Sequence, residues 1–89
     1  MQGRMNRIEW HIRAARQLRK LPVADQKRIT AAVTEKLEQF PQCSDVKALV
    51  SHRYGYRLRV GNFRVFFDFD GGIRVALVQE VKKRDSRTY

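Results

Sequence analysis

Between Tyr56 and Phe67 apolar and polar positions alternate. Tyr56, Leu58 and Val60 fall on one side and Arg57 and Arg59 on the other; beyond Gly61-Asn62, Phe63, Val65 and Phe67 alternate against Arg64 and Phe66. A period of two on both sides of a Gly-Asn break predicts a β-hairpin with a tight turn. With Val60 and Phe63 closing that turn, Arg59 lies directly across from Arg64, and Arg57 across from Phe66. Asn6 to Ile12 also alternates, with Ile8, Trp10 and Ile12 against Arg7, Glu9 and His11. This predicts a first strand, at a sheet edge or beside the last strand, with His11 a surface imidazole.

From Ala14 to Leu21 the pattern becomes helical, Ala15, Leu18 and Leu21 sharing a face. Pro22 ends that helix, because the residue before a proline is pushed out of the helical region. A second helix runs from Val23 or Asp25 to Gln39, with Ile29, Val33, Leu37 and Phe40 at the 3.6-residue period. Lys27, Arg28, Glu35, Lys36 and Glu38 populate its outer face, and it reads as scaffold. Phe40 to Ser44 is a loop holding Cys43, a partly buried small residue. Asp45 to His52 reads as a connection with a short helical turn, Val46 and Leu49 pointing inward. Asp70-Gly71-Gly72 makes another turn, and turn chemistry accounts for Asp68 and Asp70. Ile73 to Val81 is the most apolar run, as a central or doubly covered strand would be.

The expected fold is therefore α+β: an N-terminal strand, a two-helix hairpin, then a three-stranded antiparallel meander. Together the strands form one sheet with the helices on one face. The 89 residues make a single domain. Residues 1–4 are expected to carry no structure, since Met5 offers a second start, and residues 82–89 are expected to form a basic tail able to curl over the open sheet face.

Charge narrows the partners. Nineteen Lys and Arg against nine Asp and Glu leave a formal charge of +10, which favours a polyanion: nucleic acid, anionic membrane or an acidic protein. One cysteine rules out an internal disulfide and fits a reducing compartment. No apolar run approaches the ~18 residues of a membrane span, and the N-terminus lacks an apolar signal core. A soluble cytoplasmic protein without a membrane partner is the expectation.

Most catalytic constellations have no support. His11, His52 and Cys43 lack metal-ligand spacing, no nucleophile triad is spaced as one, and the glycines serve turns rather than a phosphate loop. No metal or cofactor is expected. What remains is the hairpin, where directly opposed like charges destabilise a sheet and no acidic residue of the hairpin shares the face until Asp68. Three arginines splayed into solvent would be tolerated. An anion site is the stronger reading, since guanidinium groups grip phosphates bidentately. Arg57, Arg59 and Arg64, with Lys82, Lys83, Arg84, Arg87, Tyr89 and Phe66, would form a basic groove with aromatic members. Such a groove suits single-stranded nucleic acid, with cations for phosphates and rings for bases. On composition alone, a frayed soluble terminus explains the last eight residues equally well.

Leu21-Pro22, Tyr56-Arg57-Leu58-Arg59-Val60-Gly61 with Phe63-Arg64-Val65, and Lys83-Arg84 followed by Tyr89 resemble the RelE/ParE superfamily of toxin-antitoxin toxins, on its RelE side. The resemblance runs from about Ile8 to Tyr89. It implies a ribosome-dependent endoribonuclease that enters the A site and cuts mRNA without a metal. The nucleotide's 2′-hydroxyl attacks the adjacent phosphate and displaces the 5′-oxygen. Carried over residue by residue, the family's catalytic set falls on Arg57, Arg59, Arg64, Arg84 and Tyr89. Arg64 and Arg84 would hold the phosphate and the transition-state charge, and Tyr89 would stack on a base or assist proton transfer. Lys82, Lys83, Arg87 and Phe66 would contact RNA.

Some relatives carry lysines where Arg57 and Arg59 stand. Arginine stays protonated, so the base would be Tyr89, Lys82 or Lys83, or else positioning would dominate. The resemblance also implies a cognate antitoxin with an acidic amphipathic segment that shields the groove. Operator DNA would be contacted only through that antitoxin. Two other readings share the fold and charge: a ParE-like inhibitor of DNA gyrase that cuts no RNA, and a non-catalytic RNA-binding domain.

Overall fold

The computed structural model describes residues 5–84. Its elements are β1 (Arg7–Trp10), α1 (Ile12–Arg19), α2 (Val23–Gln39), β2 (Val46–Ala48), β3 (Tyr56–Val60), β4 (Phe63–Asp70) and β5 (Val75–Lys83). One five-stranded sheet runs β1-β5-β4-β3-β2. β1 joins β5 in parallel, so it lies both at an edge and beside the last strand. The other pairings are antiparallel. The helix-and-meander architecture is the expected one, with one strand added. Residues 46–48 do not form a helical turn but pair with β3, Lys47 across from Arg57.

Two other boundaries move for local reasons. His11 caps α1 by accepting a hydrogen bond from the Arg13 N–H on Nδ1 at 3.0 Å, so the helix starts at Ile12 rather than Ala14. β5 begins at Val75, because Ile73 is exposed and Arg74 sits at φ 56° in the preceding turn. It then continues past Val81 to Lys83, since Lys82 and Lys83 pair with Arg64 and Phe63.

The core forms where the α2 stripe of Ile29, Val33 and Leu37 meets Leu58, Val65, Phe67 and Val78 of the sheet, all fully buried. Phe40, just beyond α2, stands steeply inclined to Tyr56, Phe67 and Phe69 at centroid distances of 4.8, 5.3 and 4.9 Å, the T-shaped geometry that aromatic quadrupoles favour. Asn6 closes the same helix end. Its Nδ2 donates to the carbonyls of Leu37 and Phe40 at 2.9 and 2.7 Å, satisfying acceptors that a helix C-terminus leaves open.

α1 covers the β5 edge beyond the end of β1. The His11 N–H donates to the Val78 carbonyl at 2.8 Å, Arg13 Nη1 donates to the Gln79 carbonyl at 3.3 Å, and Gln17 Oε1 accepts from the Val81 N–H at 2.6 Å. An edge that would otherwise offer unpaired backbone groups is thereby closed by one backbone N–H and two side chains. Among the described residues, no helix is long and apolar enough to cross a membrane.

Candidate nucleic-acid interface

The hairpin closes through Gly61 at φ 56° followed by Asn62, with the positive φ at the first turn position as in the hairpin turns that match strand twist. Its register is the expected one: Arg59 lies opposite Arg64, Arg57 opposite Phe66. The neighbouring strands extend both rows. Arg64 is paired with Lys82, giving a line Arg59–Arg64–Lys82 across three strands, and Lys47 lies beside Arg57. Leu58, Val60 and Val65 alternate to the buried side. Each exposed like-charge pair costs about 1 kcal/mol at ~4–5 Å in water. That is comparable to the gain from one good cross-strand pair, so the buried side can hold the row together.

Arg84 joins the row from the end of β5. Its N–H donates to the Asn62 carbonyl at 2.6 Å, which ties the end of the strand to the hairpin turn. Arg57, Arg59, Arg64 and Arg84, with Gly61 and Phe63, line one cavity of about 50 Å³, a few times the ~10–15 Å³ that admits a single water. This is the scale of one phosphate group. Among the described residues none of these arginines is ion-paired with a carboxylate, and Arg57 Nε is buried with no hydrogen-bond partner. A buried donor without a partner is costly and suits a site completed by an anion. A second, wider depression of about 270 Å³, lined by Asp45, Val46, Lys47, Arg57 and Arg59, adjoins the first.

Of the expected RNA contacts, Lys82 stands in the cationic row. Lys83 does not: strand alternation turns it to the other face, opposite Phe63. Phe66 shares the face of Arg57 but is only 8% exposed, so its ring is not open to a base. His52 lies over it, with centroids 5.3 Å apart and planes 12° apart, and Tyr54 tilts against it at 5.8 Å. Arg87 and Tyr89 lie outside the described residues, as do residues 1–4 and the rest of the tail beyond Arg84.

Three features are not among those the sequence pattern predicts. Asp68 is not a turn residue: it accepts from the Gly55 N–H at 2.7 Å and from Gln79 Nε2 at 3.1 Å, fixing the loop before β3, while Asp70 does cap its turn through the Gly72 N–H. Glu80 lies across from Phe66. Burial alone would raise its carboxyl, but hydrogen bonds from Tyr54 and Gln17 and the charges of Lys82 and Arg13 outweigh that and hold it below the ordinary glutamate value. The Tyr54 hydroxyl is raised, first by burial and then by its bond to Glu80, and it also accepts from Arg13 Nη1 at 3.2 Å. Lys47 is the third. The period-two spacing of Val46 and Ala48 was its available signal.

The chain belongs to the ParE toxins of type II toxin-antitoxin systems (parDE), whose family model matches residues 8–87, and thus to the RelE/ParE superfamily. Curated protein sequences returned no significant match. Among solved structures, it is similar to a chain of the toxin-antitoxin complex RelBE2 from Mycobacterium tuberculosis (19% identity, 93% of this chain and 95% of that one, TM-score 0.80). It is also similar to a chain of the archaeal RelE-RelB complex from Pyrococcus horikoshii (25% identity, 92% and 98%, TM-score 0.75). The isolated Escherichia coli RelE toxin shares the fold as well (20% identity, 90% and 85%, TM-score 0.73). The protein is a toxin of a type II toxin-antitoxin system with a RelE-like fold.

Proposed function

We propose that this toxin is an endoribonuclease that cuts mRNA on the ribosome. The observation that carries the reading is the cavity bordered by Arg57, Arg59, Arg64 and Arg84, phosphate-sized and without carboxylate partners among the described residues. A phosphodiester seated there meets guanidinium donors on several sides. As the 2′-hydroxyl oxygen bonds to phosphorus and the 5′-oxygen departs, charge grows on the non-bridging oxygens. Donors fixed in advance stabilise that growth more than they stabilise the ground state. Arg64 and Arg84 are assigned to the phosphate, and Arg57 and Arg59 to the strand on either side, with Lys82 extending the track. Arginine cannot serve as the base. Proton removal therefore falls to Lys82 or Tyr89, or to the ribosomal surroundings, with in-line positioning supplying much of the rate.

The cognate partner is an antitoxin with an acidic segment, as the net charge of +10 and the RelE-RelB complexes among the similar structures support. One observation favours a second reading: the matching family model is that of ParE in parDE, which points to inhibition of DNA gyrase. A paired assay separates the two. Purified toxin is added to a reconstituted translation reaction, with 5′ ends of the message mapped, and to gyrase with supercoiled DNA. Cut message with unaltered gyrase supports the nuclease; intact message with accumulated gyrase-DNA cleavage complexes overturns it.

A further inference from the structure

We propose that His52 is the platform on which this toxin stacks a nucleobase of its RNA, one strand row from the phosphate cavity. The inference rests on the RNA reading above and adds where the base goes. His52 is exposed, whereas Phe66 beneath it is buried. The two rings are nearly parallel, so Phe66 takes one imidazole face while His52 itself stays exposed to a ligand. Phe66 stands across from Arg57, which borders the cavity. The Arg57–Phe66 row is two residues from the Arg59–Arg64 row, roughly 6.5–7 Å along a strand. That separation lets one nucleotide place its phosphate among the arginines and its base on the ring.

The platform is built in advance. His52 Nδ1 accepts from the Tyr54 N–H at 3.0 Å, which fixes the ring plane. The loop carrying it is held at both ends, by the Leu49 N–H on the Gly55 carbonyl at 2.9 Å and by the Gly55 N–H on Asp68 at 2.7 Å. A Cβ at Gly55 would lie 3.2 Å from that Asp68 oxygen, so glycine lets the loop approach β4 this closely. Tyr54 is held in turn by Glu80 and Arg13, with Arg53 over its ring at 5.6 Å. An exposed ring held in place in this way is a sequence-tolerant seat for an unpaired base.

The test uses a short single-stranded RNA carrying 2-aminopurine, whose fluorescence falls when it stacks. Wild-type toxin should quench it on binding. His52→Ala, and His52→Asn which keeps an acceptor for the Tyr54 N–H, should bind without the quench and about five- to tenfold more weakly. His52→Phe should retain it. Arg64→Ala serves as the separate control on the cavity and should weaken binding of every sequence alike. Salt-sensitive binding that depends on Arg64, with an unchanged quench in both ring-less variants, overturns the platform and leaves the nuclease reading standing. Absence of Arg64-dependent binding to this RNA overturns the platform as well, whereas the nuclease reading falls only if message on ribosomes stays uncut.

Discussion

The N–H of Arg84 donates to the carbonyl of Asn62 at 2.6 Å, so the residue that follows β5 is fixed to the turn between β3 and β4. Two strands and the residue that follows a third thereby deliver guanidinium groups to one cavity, and the residue types alone do not predict that closure. Arg84→Lys keeps the charge but loses the planar fork. Its cleavage rate should fall between wild type and Arg84→Ala, as read in single-turnover cleavage on ribosomes.

Arg59 is exposed and paired with Arg64, which suits a contact to the RNA backbone. Arg59→Ala should weaken binding to all short RNAs alike and reduce the slope of log affinity against log salt by about 0.7. Anisotropy titrations at several salt concentrations check both effects.

Asn6 is buried, and its Nδ2 serves two carbonyls at the end of α2. Asn6→Ala leaves both without that donor and should cost about 2–3 kcal/mol of stability, measured by urea unfolding. Gly61→Ala tests the turn. At φ 56° a side chain is strained by roughly 1–2 kcal/mol, and the new Cβ would lie 3.3 Å from Arg28 Nη1. A lowered melting temperature is the expected result.

Glu80 carries a pH signature. Its carboxyl is lowered in the folded protein, the bonds from Tyr54 and Gln17 and the nearby cations outweighing burial. A lowered carboxyl binds its proton less readily folded than unfolded. Its stabilisation is therefore present above the ordinary glutamate range and lost as pH falls through the folded value. Glu80→Gln should lower stability at neutral pH and flatten the acid limb of a stability-pH curve.

The hairpin was legible because Gly61-Asn62 and strict alternation fix which residues face each other. That is why the Arg59–Arg64 pairing could be read in advance, and the stripe of α2 was legible for the same kind of reason. β2 was not: three residues carry little periodic signal, and Val46–Ala48 is a strand only because β3 offers it an edge. Phe66 reads locally as an open aromatic. Its cover comes from a loop fixed through Asp68, a contact set by tertiary structure. Adjacency in sequence groups Lys83 with Lys82, whereas pairing with β4 extends the strand and sends neighbours to opposite faces.

The central claim is that the arginine-lined cavity holds the phosphodiester that is cut. Single-turnover cleavage of message on programmed ribosomes, comparing wild type with Arg64→Ala and Arg84→Ala at saturating toxin, tests it most directly. Each variant should slow cleavage by roughly 10²–10³-fold at unchanged cut positions; cutting by both at the wild-type rate would contradict the account.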